Sequence, residues 1–225
     1  MSPRTLFSAL AIVVSASIAH ATVLRVPEDY TTIQFAIDAA VERDTVLVSP
    51  GTYNEYGVDF RAKGIVVTSL NPYDPAIVAA TVVDGQSAGV SVFTLRAGED
   101  STSVLAGFTI VHGYAVNGGG IFITASPLQR SFPVVHHCVV QDNWGSVGGG
   151  IFSTSFATPT ITNCTVRRNT GHSDTGLALM GGSVVSNCVV TDNVASYEIG
   201  GIYLTGGRDL ETRLTNCVVA RNSDG

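Results

Sequence analysis

One pattern is written four times between residues 134 and 222, and it limits what this chain can fold into. Its copies are Val135-His-His-Cys138-Val-Val-Gln-Asp-Asn143, Ile161-Thr-Asn-Cys164-Thr-Val-Arg-Arg-Asn169, Val185-Ser-Asn-Cys188-Val-Val-Thr-Asp-Asn193 and Leu214-Thr-Asn-Cys217-Val-Val-Ala-Arg-Asn222. In each copy an aliphatic residue precedes Cys by three positions, Val follows Cys by two, and Asn follows that Val by three. The cysteines lie 26, 24 and 29 residues apart, and a period of that size means stacked similar units. A step of three cannot stay on one face of a flat strand, whose side chains alternate with period two. The chain must therefore bend between the aliphatic residue and Cys, and again before Asn. Short Val-, Ile- and Thr-rich segments joined by bends describe a solenoid whose coils have several sides.

A second signal lies between the copies: Gly119-Gly120-Ile121-Phe122, Gly149-Gly150-Ile151-Phe152 and Gly200-Gly201-Ile202-Tyr203, with a degenerate Gly176-Leu177. Phe108 falls 30 residues before Cys138 and opens the same column one coil earlier. All four cysteines hold one repeat position, so they should form one interior column. In-register side chains on strands about 4.8 Å apart point the same way, whereas a disulfide requires a torsion near ±90°. Buried free thiols packing as small hydrophobes are expected. Asn at the bend is expected to take a left-handed conformation and to stack as an asparagine ladder.

The N-terminus has the pattern of a secretory leader, residues 1–21: Arg4, an apolar run from Leu6 to Ile18, and Ala19-His20-Ala21 as a small-x-small cleavage site. The run is short for a membrane span, and no second long apolar run follows. The mature chain is expected to be secreted or displayed on an outer surface. Lys and Arg number 12 against 18 Asp and Glu, and the leader takes one Arg with it. That balance disfavours nucleic acid and anionic polymers as bulk electrostatic partners. Residues 22–60 read as an N-terminal cap of a short strand, a helix and a first strand. Ile33, Ala36, Ile37, Ala40 and Val41 fall on one helical face, with Thr31 or Thr32 as N-cap. Residues 61–225 read as coils, with Asn71-Pro-Tyr-Asp-Pro75 as a loop. The pattern stops at Asn222-Ser-Asp-Gly225 with no closing segment, so the chain is expected to be truncated and to lack C-terminal coils or a further domain.

The run Thr32-Ile-Gln-Phe-Ala-Ile-Asp-Ala-Ala40, then Asp44-Thr-Val-Leu-Val48, then Pro50-Gly-Thr-Tyr-Asn-Glu55 resembles the opening of right-handed parallel β-helix proteins of the pectin-lyase-like superfamily. The Asn-Cys repeats and Gly-Gly-Ile signals resemble the repeat region of the same superfamily. The resemblance implies an all-β fold, a right-handed parallel β-helix of roughly six to eight coils with a short N-terminal capping helix. It implies no particular activity. Gly51-Thr-Tyr-Asn-Glu55 resembles the first pattern of pectin methylesterases, but the later catalytic motifs are missing, so a structural use is expected.

Reading each repeat four positions after Cys gives His112, Asp142, Arg168, Asp192 and Arg221, charges that alternate along the stacking axis. These five residues are the candidate binding strip, facing a polysaccharide or cell-surface glycan. The plainer alternative is a surface charge ladder that sets coil register. No catalytic residue is identified and no metal site is expected. His136 and His137 are adjacent, and neighbours on a strand face opposite ways, which argues against joint chelation. Two functional classes remain: a non-catalytic adhesion or glycan-binding scaffold, the preferred reading, and a carbohydrate-active enzyme, a polysaccharide lyase or pectinesterase-like, on pectin-type polymers. Cofactors are expected to be absent; Ca²⁺ belongs only to the lyase alternative.

Overall fold

The computed structural model describes residues 20–96, 98–206 and 212–224. Apart from its last two residues, the expected leader lies outside the described residues. The chain forms a parallel β-solenoid of about six turns. A complete coil has four sides, as in Val134–His136, Val139–Gln141, Trp144–Val147 and Ile151–Ser153. Stacking these sides builds sheets of eight, seven, five and six strands, and every strand pairing among the described residues is parallel. The coils repeat in strict register: Val135 pairs with Ile161, which pairs with Val185, which pairs with Leu214.

The interior is a set of columns. Leu105, Val135, Ile161 and Val185 form one, and Phe108, Cys138, Cys164 and Cys188 form the next. A third is Ile110, Val140, Val166 and Val190. Each fully buried aliphatic side chain contributes about 1.5–3 kcal/mol. All four cysteines are free thiols in one column, with Cys217 half-exposed because it lies on the last coil. Their Sγ atoms face backbone carbonyls, as Cys164 Sγ does toward Thr162 O at 3.3 Å.

The bends lie where the odd spacing demands them, but their geometry differs from the expectation in one respect. The left-handed residues are those immediately before Cys and before the ladder position, not the ladder residues Asn143, Asn169, Asn193 and Asn222 themselves. His137, Asn163, Asn187 and Asn216 make the first corner; His112, Asp142, Arg168, Asp192 and Arg221 make the second. A left-handed residue turns its side chain outward and frees the next residue to point in. The asparagines use that inward direction. Asn143 Nδ2 donates to Asn169 Oδ1 at 3.0 Å, Asn169 Nδ2 to Asn193 Oδ1 at 3.0 Å and Asn193 Nδ2 to Asn222 Oδ1 at 2.9 Å. The expected ladder is therefore present, and Asn143, Asn169 and Asn193 are buried. The Gly-Gly signal serves the same corner. A Cβ on Gly150 would lie 2.6 Å from Gly176 O and 3.0 Å from Asn169 Nδ2, so only glycine lets the chain pass beside the ladder.

The N-terminal helix, α1, spans Ile33–Ala39 with Thr32 as its N-cap. Ile33, Ala36, Ile37 and Ala40 are buried as expected, but Val41 is exposed, because Ala40 has already left helical geometry. Both ends of α1 are fastened to the first coils. The Glu55 carboxylate accepts from Ile33 N and Gln34 N at 2.8 and 3.1 Å. Lys63 Nζ donates to Ile37 O and Ala40 O, each at 2.7 Å. An anion at the N-terminus and a cation at the C-terminus satisfy the unpaired groups and the dipole together. Glu55, and with it the Gly51–Glu55 motif, has the structural use expected of it.

A second short helix, α2, spans Pro75–Ala80 where a loop was expected to end. Its signals were present: Asp74 caps Ala76 N at 2.9 Å and Pro75 occupies the first helical turn. Only Val78 of α2 is buried, so no apolar periodicity marks it. The premise about His136 and His137 also needs correction. His137 is left-handed, which breaks strand alternation, and both rings come to the same outer side with their Nδ1 atoms 2.9 Å apart.

Candidate functional site

The five residues of the alternating column occupy one corner, as their repeat position requires. Each has a φ between 51° and 58°. A left-handed non-glycine residue costs roughly 1–2 kcal/mol, and here the buried asparagine that follows holds the corner. Arg168 forks onto Asp142, with Nε–Oδ1 and Nη2–Oδ2 at 2.8 and 2.7 Å. Arg221 forks onto Asp192 with both contacts at 2.7 Å. The Arg221 guanidinium beside Asp192 holds its carboxyl down to about 2. Asp142 in turn raises the basicity of Arg168. His112 departs from the expected arrangement: its Nδ1 lies 3.0 Å from Asp84 Oδ2, one coil back, rather than against Asp142. The bidentate Arg168 fork occupies both Asp142 oxygens, and the column becomes separate pairs rather than a carboxylate flanked by two contacting cations.

Beside this corner runs a feature that charge reading missed. On the third side, Tyr114 stacks on Trp144 with ring centroids 4.4 Å apart and planes 14° apart. Trp144 meets His172 edge-on at 5.5 Å, and His172 meets Tyr197 edge-on at 5.8 Å. Tyr114, His172 and Tyr197 are exposed and Trp144 is half-buried. Tyr114 and Trp144 each lie two residues after a residue of this corner, His112 and Asp142, across the inward position held by Gly113 and Asn143, so both outward columns are neighbours. Extending the repeat alignment two positions past the charged column would have found Tyr114 and Trp144. It would not have found His172 and Tyr197, which enter the strip from other strand positions.

At the far edge of the same side, an open cavity of about 600 Å³ is lined by Ser173, Asp174, Glu198, Tyr203 and Asp224, among others. Asp174 is buried, left-handed, and its Oδ1 has no hydrogen-bond partner. Burial, with Glu198 nearby, pushes its carboxyl up to about 6. Among the described residues no three His, Cys, Asp or Glu side chains converge as a metal site. No helix among them is long and apolar enough to cross a membrane.

Comparison with curated proteins and with solved structures returned no match. Residues 81–225 match the family model described as the right handed beta helix region. That match spans the repeats, the asparagine ladder and the column of free thiols, and the chain belongs to the right-handed β-helix family.

Proposed function

We propose that this protein is a secreted or outer-surface β-helix scaffold that binds a glycan without transforming it. The observation that carries the reading is the exposed strip Tyr114, Trp144, His172 and Tyr197 lying beside the polar corner His112, Asp142, Arg168, Asp192 and Arg221. Tyrosine, tryptophan and histidine combine an apolar body with a polar tip. A pyranose has the same duality, with C–H faces and hydroxyl edges. Four consecutive coils span about 14 Å along the axis, a length that several linked pyranose rings occupy. The rigid ladders beneath mean that little conformational freedom is lost on binding. The corner carboxylates and guanidinium groups supply acceptors and donors for hydroxyls along one edge.

Trp144 is the single tryptophan of the chain, so its emission reports directly on the strip. Titration with a panel of neutral and acidic polysaccharides should shift that emission for at least one member, and Trp144→Ala should remove retention on the same polymer. If no polymer in the panel shifts the emission or is retained, the reading fails.

A carbohydrate-active enzyme is the second reading, and one observation favours it. Asp174 and Glu198 share a cavity, and a carboxyl raised to about 6 beside a second carboxyl suits a general acid. Turnover of a bound polymer, lost in Asp174→Asn, would favour the enzyme. Ca²⁺ enters only under the lyase form of that reading.

A further inference from the structure

We propose that His136 and His137 form a two-nitrogen chelate for a divalent transition metal of tetragonal preference, Cu²⁺ or Ni²⁺. The pair belongs neither to the aromatic strip nor to the charged corner. It sits at the first corner of its coil, where left-handed His137 swings its ring to the side His136 already faces. The two Nδ1 atoms are 2.9 Å apart, and the ring planes are 89° apart.

That separation matches the bite of a metal. Two imidazole nitrogens each about 2.0–2.1 Å from one ion lie roughly 2.9 Å apart when they subtend about 90°, and about 3.3 Å apart at a tetrahedral angle. The geometry therefore favours square-planar or tetragonal ions over Zn²⁺. A modest rotation of each ring turns the two Nδ1 atoms from one another toward a common point. Each neutral ring then carries its proton on Nε2. The ring that donated through Nδ1 changes tautomer, and no net proton is released.

The backbone beneath the pair is held by both neighbouring coils. His137 N donates to Thr162 O at 3.1 Å, and His136 O accepts from Gly107 N at 3.2 Å. Tyr73 packs on both rings from the loop before α2, with centroids 6.2 Å from His136 and 4.8 Å from His137. A cavity of about 180 Å³ opens beside His137, lined by Tyr73 and by Asn163, the residue one coil further along the same corner column. The side-chain amide of Asn163 and solvent supply oxygen donors for the remaining positions. Ligands held by strand ends and packed from above are preorganised, which a two-residue sequence alone would not provide.

The next coils also supply substitutions that respect the fold. Thr162, Ser186 and Thr215 occupy the position of His136, and Asn163, Asn187 and Asn216 that of His137. His136→Thr and His137→Asn therefore place the neighbouring coils' own residues at that register. The experiment is a Cu²⁺ titration followed by calorimetry and electron paramagnetic resonance, in a Cys217→Ser background that removes the half-exposed thiol. One equivalent with nitrogen hyperfine structure from two imidazoles is expected. Each single variant should lose about a hundredfold in affinity, the usual worth of making the second contact intramolecular, and one of the two nitrogens. His172→Ala should change neither. A signal unchanged in His137→Asn, or a stoichiometric site lost in His172→Ala instead, overturns the assignment.

Discussion

Removing one rung of the asparagine ladder should cost far more than its surface chemistry suggests. Asn169 is fully buried. Its Nδ2 donates to Val140 O and to Asn193 Oδ1, each at 3.0 Å, and its Oδ1 accepts from Asn143 N and Nδ2 at 3.1 and 3.0 Å. In Asn169→Ala these partners fare differently. Asn143 Nδ2 keeps Ile110 O and Gln141 O, and Asn193 Oδ1 keeps the backbone N–H of residue 169. The Asn143 N–H is left facing a void inside the stack. One unsatisfied buried donor costs about 1–3 kcal/mol, and each further lost bond about 0.5–1.5 kcal/mol. With three further bonds lost, the sum is about 2.5–7.5 kcal/mol, a large share of the roughly 5–15 kcal/mol that holds a typical domain together. Asn222 is the matched control. It accepts from Asn193 N and Nδ2 in the same way but is half-exposed, so water can replace it and Asn222→Ala should cost under about 1 kcal/mol. Urea unfolding followed by Trp144 emission gives both values, provided midpoint and slope are fitted together, because stacked arrays can lose cooperativity. An Asn169→Ala protein within about 0.5 kcal/mol of the parent, the range of ordinary surface changes, would refute the reasoning. So would equal losses at the two rungs.

Glu99 is fully buried with one unpartnered oxygen, and burial pushes its carboxyl up from 4.5 to about 8. A raised folded-state value stabilises the fold fully below pH 4.5 and is lost as pH rises to about 8, by at most about 5 kcal/mol. Glu99→Gln should flatten that dependence in unfolding curves taken across the window; an unchanged slope counts against it. Thiol titration of the denatured, unreduced protein should give four reactive groups, whereas two or none would break the assigned register. Asp142→Ala should cost at most about 1 kcal/mol, as for other exposed pairs. If the corner contacts a glycan, Asp142→Ala and Arg168→Ala weaken retention at nearly constant melting temperature; undiminished retention restricts the pairs to a register role.

The stack itself was legible because each coil repeats the same local problem. The odd spacing from Val135 to Cys138 to Asn143 forces bends, and the repeat of that spacing forces coils to lie in register. From this the cysteine column, the asparagine ladder and the shared corner of His112, Asp142, Arg168, Asp192 and Arg221 could be read in advance, while the helix at Ile33–Ala39 was legible from its own apolar periodicity and N-cap. The helix at Pro75–Ala80 could not be read from apolar periodicity, since it buries a single side chain. What only the tertiary structure decided is where outward side chains meet. A left-handed residue at each corner reverses the alternation on which strand reasoning depends, so His136 and His137 converge instead of parting. His172 and Tyr197 join Trp144 from non-equivalent strand positions, across coils 24 or more residues apart in the chain. A repeat specifies its interior because every coil must match the next, but it leaves the exterior to the particular residues, and their contacts exist only once the stack is built.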